Sequence, residues 1–337
     1  MMIREYLKLA RSFNAVLTGI SPVMGAIAMG YYNLFSLFML FLIGFFGHTY
    51  GFVLNDIIDK KIDKTSEEIS DRPLLSGTIS IKNAWIFAIL SMVIAFVISF
   101  YIAYSTQIYY PIIILTISSI LITIYNLTSK KLAGMDIFVT AAVFFLVLYG
   151  ASITVGNINN VSNLAWIVCI LGAIQVLYMQ FIAGGMKDID NDYKSGAKTI
   201  AIKLGVRIIN GKLIVTTKFK LLAYFIQIID LMVVFLPFFI VWKIQNLTIL
   251  QYIQWITITF IGIIMVYISY KLLSMKKFER NKARKYIGSH YMINFTIVPI
   301  MLMSLNPWAG LLMFFPGLGF ILSNIILHGT ITQPKTM

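Results

Sequence analysis

Residues 34–63 read LFSLFMLFLIGFFGHTYGFVLNDIIDKKID, an apolar run that ends in a group of acids. Its first part, residues 34–54, contains no Asp, Glu, Lys or Arg. A run of this length crosses a lipid bilayer as an α-helix, which needs roughly 20 apolar residues. Its last part, residues 55–63, carries three aspartates and two lysines. The stretch therefore predicts a membrane helix that brings carboxylates to the membrane surface.

The same apolar pattern recurs along the chain. Of 337 residues, 59% are hydrophobic and 12% are charged, whereas soluble domains carry about 25% charged residues. Helices are expected because lipid offers the backbone no hydrogen-bond partners, so we predict an all-α, polytopic transmembrane bundle. It has nine spans, or ten if Asn306-Pro307 is a turn between spans rather than a break within one hydrophobic region. The segments are 14–31, 34–54, 84–105, 108–125, 136–156, 163–185, 221–242, 248–270, 288–305 and 308–327.

Lysine and arginine are distributed unevenly between the two sides of this predicted bundle. If the N-terminus is cytoplasmic, 26 of the 27 Lys and Arg residues lie on the cytoplasmic side, and only Lys243 lies opposite. This asymmetry accounts for the net charge of +14 without a nucleic-acid partner. We therefore expect a multi-pass protein of the lipid membrane whose basic cytoplasmic face suits a phosphate-bearing substrate.

Acidic residues are concentrated in two segments of the predicted cytoplasmic face. Nine of the 13 Asp and Glu residues lie at 56–71 or 188–192. These segments follow the second and the sixth predicted spans, so the same chemistry recurs after four helices. This spacing predicts an internal duplication, of about residues 1–130 and 131–285, within a single domain covering 1–337.

The spacing of the acids within each segment predicts metal binding. On a helix Asn55, Asp59 and Asp63 share one face at i, i+4 and i+8, and Asp188 and Asp192 repeat the i, i+4 spacing. Like charges so arranged repel one another, so a cation must offset them. Mg²⁺ is the natural candidate, because proteins hold it by one or two carboxylates together with the oxygens of a substrate phosphate. Two such patches facing across a cavity would hold two ions around one diphosphate.

Basic residues near the patches are suited to binding a diphosphate. Arg72 offers a bidentate fork to phosphate, and the following Pro73 stiffens the backbone that aims it. Lys130, Lys131 and Lys187 lie at cytoplasmic ends of spans and supply mobile point charges. These residues turn a general metal site into a predicted diphosphate site.

Four elements, in this order, resemble the UbiA superfamily of membrane prenyltransferases. They are Asn55-Asp56-x-x-Asp59-x-x-x-Asp63, Asp71-Arg72-Pro73-Leu74-Leu75-Ser76-Gly77, the segment Tyr125 to Lys131, and Asp188-x-x-x-Asp192 followed by Gly196, Thr199 and Leu204-Gly205. The resemblance implies nine helices around a central cavity that is capped by the two Asp loops. It also implies Mg²⁺-dependent transfer of a polyprenyl group from its diphosphate to a lipophilic acceptor.

The resemblance also assigns roles by position. The residues expected to organise two Mg²⁺ ions are Asn55, Asp56, Asp59, Asp63, Asp188 and Asp192. The residues expected to be catalytic are Asp59, Asp192, Arg72 and Lys130. The residues expected to bind substrate are Asn55, Arg72, Tyr125, Lys130, Lys131 and Lys187. The expected reaction passes through an allylic carbocation-like step, for which Tyr125, Tyr149 and Tyr178 are candidate cation–π partners.

Two departures from the family pattern concern the substrates. The family often has Arg-Pro in its first helix, whereas this chain has Arg11-Ser12, so no substrate role is assigned to Arg11. Tyr125 and Lys130 are five apart rather than four, which weakens the case for an aromatic acid as the acceptor. Aromatic quinone precursors and prenylated glycerol phosphates both remain open as acceptors.

A cation transporter with Asp-lined metal sites is the alternative function. Transporters hold ionisable groups near the membrane midplane. The acids of this chain that fall near or within predicted spans are Asp136, at the start of the span 136–156, and Asp230, within the span 221–242.

Overall fold

The structure, a computed structural model, describes residues 2–64 and 69–331. Within these ranges the α-helices are α1 (Met2–Leu9), α2 (Ser12–Ala28), α3 (Leu34–Asp63), α4 (Ile81–Thr106), α5 (Pro111–Thr128), α6 (Asp136–Ser152), α7 (Asn163–Lys187), α8 (Ile189–Ser195), α9 (Ile200–Lys203), α10 (Thr217–Ile240), α11 (Ile249–Leu273), α12 (Arg280–Leu302) and α13 (Phe314–His328). Helix α7 is α-helical over Asn163–Tyr178, passes through a π-helical turn at Met179–Gly184 and ends in the turn Gly185–Lys187. A 3₁₀ segment, Pro307–Met313, leads into α13.

A short β-hairpin is the one sheet in the described residues. Strands β1 (Arg207–Ile209) and β2 (Lys212–Ile214) pair antiparallel, with Ile208 opposite Leu213. Most of the other described residues are helical, which confirms the all-α fold class.

Seven helical segments of the described chain are long and apolar enough to cross a membrane, namely α3, α4, α5, α7, α10, α11 and α13 with its 3₁₀ segment. The predicted spans 14–31 and 136–156 correspond to α2 and α6, which have 17 residues each. At 1.5 Å per residue such a helix is about 26 Å long, short of a hydrocarbon core of about 30 Å. The predicted span 288–305 overlaps α12 over residues 288–302, and the first turns of that helix are basic. The multi-pass architecture is thus confirmed, whereas the count of nine or ten spans is not.

The structure settles how the last two predicted spans are joined. Helix α12 ends at Leu302, and a new helical segment begins at Pro307. The Asn306 side chain accepts a hydrogen bond from the backbone N–H of Trp308 at 3.0 Å. Asn306-Pro307 is therefore a turn between helices, because proline lacks the N–H that a helix interior needs and is favoured at a first helical position.

Hydroxyl side chains fix the first residues of four long helices. Ser80, Ser162 and Thr216 accept a hydrogen bond from the backbone N–H three residues ahead, at 3.2, 3.1 and 3.4 Å, where α4, α7 and α10 begin. Thr248 forms a reciprocal capping box with Gln251 at the start of α11. These caps satisfy N–H groups that have no partner within the helix.

Helices α2 and α6 approach each other closely because glycines lie at their contact. A Cβ added at Gly150 would overlap the carbonyl oxygen of Pro22, and a Cβ added at Gly25 would overlap that of Val147. Small residues of this kind let membrane helices pack backbone to backbone. The contact matters for function because both helices also line the central cavity.

We expect the substitution Gly150→Ala to destabilise the bundle by about 1–3 kcal/mol, because the added methyl group must displace the backbone of α2. The measurement is thermal unfolding in detergent, where each kcal/mol lowers the Tm by roughly 2–4 °C. Gly317→Ala in α13 is the matched control, since the space around a Cβ at Gly317 is open. An equal loss of Tm in both variants would contradict the close α2–α6 contact.

Candidate functional site

A cavity of about 360 Å³ lies inside the bundle, with α2, α3, α5, α6, α7 and α12 among its walls. One end, which we call the polar end, is formed by the last turns of α3, the residues after α5, α8 and the first turn of α12. The charged side chains that line the cavity are Arg11, Asp59, Asp63, Arg72, Lys130, Asp136, Lys187, Asp188, Asp192 and Arg280. Although far apart in sequence, the acids of residues 55–63, which we call the first patch, and those of residues 188–192, the second patch, therefore meet in one cavity.

The first patch is the last part of α3, which continues without a break to Asp63. Asn55, Asp59 and Asp63 line the cavity, as their i, i+4, i+8 spacing predicts. The Asn55 side-chain amide donates a hydrogen bond to Asp59 Oδ2 at 3.1 Å. Asp56 is buried but does not line the cavity, so it lies behind this face of the helix rather than on it. Glu67 and Glu68 of the same acidic segment lie outside the described residues.

Two arginines neutralise the first patch. Arg72 Nη1 lies 2.6 Å from Asp63 Oδ2 and 3.5 Å from Asp56 Oδ1. Arg11 Nη2 donates to the same Asp56 oxygen at 2.7 Å, and its guanidinium lies 4.9 Å from the centre of the Phe52 ring. Arg11 precedes α2 with a φ of 46°, an uncommon backbone conformation for a residue other than glycine. The resulting group of two guanidinium and two carboxylate groups joins the start of α2 to the end of α3.

Three cations neutralise the second patch. Asp188 Oδ1 accepts a hydrogen bond from Arg280 Nη2 at 2.9 Å, and its other oxygen lies 3.4 Å from Lys187 Nζ. Lys130 Nζ donates to Asp192 Oδ1 at 3.2 Å. The turn after α5 and residues of α7, α8 and α12 are therefore held together by charge at the polar end.

Burial and charge oppose each other in the pKa values of this patch. Burial alone would raise the pKa of Asp188, but Lys187 and Arg280 hold it below its ordinary value. Burial raises the pKa of Asp192 above its ordinary value, although Lys130 opposes the shift. Burial alone would lower the pKa of Lys130, but the neighbouring carboxylates, Asp192 first, raise it. Lys130 is therefore a cation at neutral pH.

Several predicted site residues lie elsewhere than expected. Lys131 is exposed and does not line the cavity, so the structure gives its predicted substrate contact no support. Tyr125 lines the cavity, and its hydroxyl donates to Gln180 Oε1 at 3.4 Å. Tyr149 and Tyr178 are buried in helix contacts and do not line the cavity. Of the three tyrosines, Tyr125 alone is placed where it can meet a substrate.

Arg11 and Arg280 are cavity residues that the sequence analysis does not select. Arg11 carries no predicted role because Ser12, not proline, follows it, yet it contacts Asp56. Arg280 belongs to a stretch of seven Lys and Arg residues between 271 and 285, and no local pattern distinguishes it from the others. A signal for Arg11 did exist, since it is the last basic residue before the first apolar segment.

The side chains of the polar end fit Mg²⁺ bound together with a substrate. Within residues 2–64 and 69–331, no three His, Cys, Asp or Glu side chains are close enough to enclose a metal ion. The cavity nevertheless presents carboxylate oxygens from both patches, and Mg²⁺ usually takes one or two carboxylates and completes its shell with phosphate and water. The lining holds five basic and five acidic side chains, so a diphosphate would add negative charge that a divalent cation can offset.

Comparison with known proteins gives a consistent result. The family model described as the UbiA prenyltransferase family matches residues 16–293. The chain is 28% identical over 243 residues to the digeranylgeranylglyceryl phosphate synthase of Sulfolobus acidocaldarius, covering 67% of this chain and 80% of that protein. It is 30% identical over 215 residues to the synthase of the same name from Methanococcus aeolicus, covering 60% and 69%.

Two solved structures share the fold. A UbiA homolog from Archaeoglobus fulgidus bound to GPP and Mg²⁺ has a TM-score of 0.63 at 16% identity, with 94% of this chain and 99% of that chain covered. A structure described as digeranylgeranylglyceryl phosphate synthase in membranes has a TM-score of 0.61 at 21% identity, with 92% and 99% covered.

Proposed function

Because the chain belongs to the UbiA prenyltransferase family and is an integral, multi-pass membrane prenyltransferase, we propose a reaction of that class for it. In this reaction the protein transfers a polyprenyl group from a polyprenyl diphosphate to a prenylated glycerol phosphate. One observation carries the proposal. Two Asp patches and five basic side chains line the polar end of a cavity whose remaining walls are largely apolar. A molecule with a diphosphate head and a hydrocarbon chain matches both parts.

The polar end would hold the diphosphate head together with two Mg²⁺ ions. The residues proposed to hold the ions are Asn55, Asp59, Asp63, Asp188 and Asp192. Asp56 supports them indirectly, by positioning Arg11 and Arg72. When bound, Mg²⁺ would neutralise charge on the diphosphate oxygens.

The proposed reaction breaks one C–O bond and forms another. The bond between the allylic carbon and the diphosphate breaks, and the diphosphate leaves with the electron pair. The acceptor hydroxyl oxygen bonds to the allylic carbon, giving an ether, and its proton is taken up by the released diphosphate or by water. Arg72, Lys130 and Lys187 offset the negative charge that grows on the leaving group. Asp59 and Asp192 would hold Mg²⁺, which when bound supplies further positive charge beside the leaving group.

The apolar walls have their own part in this step. They exclude water, which would otherwise capture the carbocation-like allylic group and release a prenyl alcohol. Tyr125 lies on the cavity wall, where its ring can stabilise positive charge by a cation–π contact worth roughly 0.5–2 kcal/mol.

The names of the relatives favour a glycerol phosphate as the acceptor. Both curated relatives described above are digeranylgeranylglyceryl phosphate synthases, a name that implies two prenyl chains on a glycerol phosphate. The five-residue separation of Tyr125 and Lys130 points in the same direction. We also propose that the polar end faces the cytoplasm, because the uneven distribution of Lys and Arg favours that orientation.

The test is an assay of purified protein with Mg²⁺, polyprenyl diphosphates and two acceptors, a prenylglycerol phosphate and a hydroxybenzoate. We expect mass spectrometry to detect the prenyl ether of the glycerol phosphate. Chelation of Mg²⁺ with EDTA should abolish the product, and excess Mg²⁺ should restore it, because the cavity's own cations are already matched by carboxylates.

Two outcomes would contradict the proposal. Product from the hydroxybenzoate alone would show that the acceptor is aromatic. No product from either acceptor, together with divalent-cation flux into vesicles that contain the protein, would support the transporter alternative. Of the two acids named for that alternative, Asp136 lines the cavity, whereas Asp230 lies in α10 and does not line it.

A further inference from the structure

A second, smaller hollow of about 40 Å³ lies next to the central cavity. Four residues line both spaces: Val143 on α6, Val176 and Met179 on α7, and Tyr291 on α12. Because these side chains have the cavity on one side and the hollow on the other, they form a partition between the two. The hollow is thus a continuation of the cavity beyond a wall of side chains.

The hollow is mostly apolar, with Ser21 and Gln175 as the polar residues of its lining, and it lies far from the polar end. Its lining includes Gly172 and Phe295, and the Phe295 ring centre lies 4.9 Å from that of Tyr291. Met179 precedes Asp188 by nine residues and Gly172 precedes it by 16, which at the α-helical rise gives at most about 14 Å and about 24 Å. A molecule with its head at the polar end would reach the hollow only with the far end of a long chain.

We propose that this hollow receives the far end of the donor's polyprenyl chain, and that Met179 and Tyr291 set the chain length that the cavity accepts. The inference rests on the proposed function, since that function places the diphosphate at the polar end. Helices α7 and α12 carry Lys187 and Arg280 at the polar end, and the same two helices wall the hollow. The hydrocarbon chain of a diphosphate bound at the polar end would extend between α7 and α12 toward Tyr291.

The two partition residues differ in how they limit the chain. Methionine is unbranched and flexible, so Met179 adapts to chain ends of different shape. Tyr291 has a large, rigid ring that packs against Phe295, so it forms the floor of the cavity. Gly172 leaves the hollow open, because a Cβ at that position would make only ordinary contacts, at 3.5 Å with Val147 and 3.7 Å with Val143. A Cβ at 172 is therefore accommodated, and the side chain of a Gly172→Leu variant is expected to extend from it into the hollow.

The test compares two variants with opposite effects on the hollow. Wild type, Tyr291→Ala and Gly172→Leu are assayed with Mg²⁺, a fixed prenylglycerol phosphate and donors of increasing isoprene number. Tyr291→Ala joins the two spaces and is expected to raise the ratio of kcat/KM for long over short donors roughly tenfold, whereas Gly172→Leu lowers it by a similar factor. Tyr252→Ala, at a side chain 49% exposed, and Gly317→Leu, in open space, should leave the ratio unchanged.

A second series keeps the donor fixed and varies the chain length of the acceptor. If the variants change the kcat/KM ratio of long over short substrates only in the acceptor series, the hollow belongs to the acceptor and the proposal is overturned. Ratios that stay unchanged in both series would also overturn it. Wild type that transfers no prenyl group contradicts the proposed function instead. The hollow is then tested by binding, as the rise in Tm that each donor produces with Mg²⁺. A donor-length dependence that is the same in wild type and both variants overturns the inference.

Discussion

The substitution Asp59→Asn is expected to lower kcat/KM for prenyl transfer roughly 10³-fold, equivalent to about 4 kcal/mol of transition-state stabilisation. Asp59 lines the cavity and is 5% exposed. In the described ranges it accepts a hydrogen bond from Asn55 rather than from a cation. Its carboxylate is therefore the acid of the first patch best placed to bind Mg²⁺. Asparagine keeps the shape of the side chain but removes the charge. Steady-state kinetics over a Mg²⁺ titration measure the loss.

The matched control for this variant is Asp190→Asn, which removes the same charge from the second acidic segment. The Asp190 side chain is 46% exposed, pairs with Lys194 and does not line the cavity. The Asp190→Asn variant should retain wild-type activity, and both variants should unfold near the wild-type temperature. Full activity in Asp59→Asn, or an equal loss in the control, would contradict the proposed metal site.

The parts of the site that the sequence predicts are those set by helical periodicity. Because α3 runs unbroken through its charged end, the i, i+4, i+8 spacing alone places Asn55, Asp59 and Asp63 on one face. Arg72 lines the cavity and pairs with Asp63, a position that is compatible with its predicted role. Its contact with substrate stays a prediction.

The parts that the sequence does not predict depend on contacts between distant segments. Arg11 and Asp56 are 45 residues apart, and Arg280 and Asp188 are 92 apart. In a face with so many lysines and arginines, local pattern does not show which one turns inward. The end of the cavity is equally hidden, because Met179 and Tyr291 look like any other apolar residues of a membrane helix. Their role depends on which helices pack side by side, which composition and spacing do not specify.

The substitution Arg72→Ala is expected to affect both stability and activity. Arg72 bridges Asp56 and Asp63, and all three side chains are buried. Removing one partner of a buried ion pair leaves an uncompensated charge, which costs about 3–5 kcal/mol. For a chain of this size the Tm should fall by roughly 10 °C. The loss of its fork toward the diphosphate should also raise KM for the donor. Arg72→Lys keeps the charge without the bidentate fork, so its Tm and its KM for the donor should lie between those of wild type and Arg72→Ala.

A double-mutant cycle separates the charge effect from a simple loss of packing. If Arg72 stabilises the bundle by neutralising Asp63, adding Asp63→Ala to Arg72→Ala removes the stranded carboxylate, and part of the lost stability returns. The two substitutions should then be coupled by about 0.5–3 kcal/mol in thermal unfolding without substrate. The exposed pair Asp190 and Lys194 provides the control cycle, for which the coupling should be near zero. Strictly additive losses at Arg72 and Asp63 would show that packing, not charge, holds the loop after α3 against the cavity.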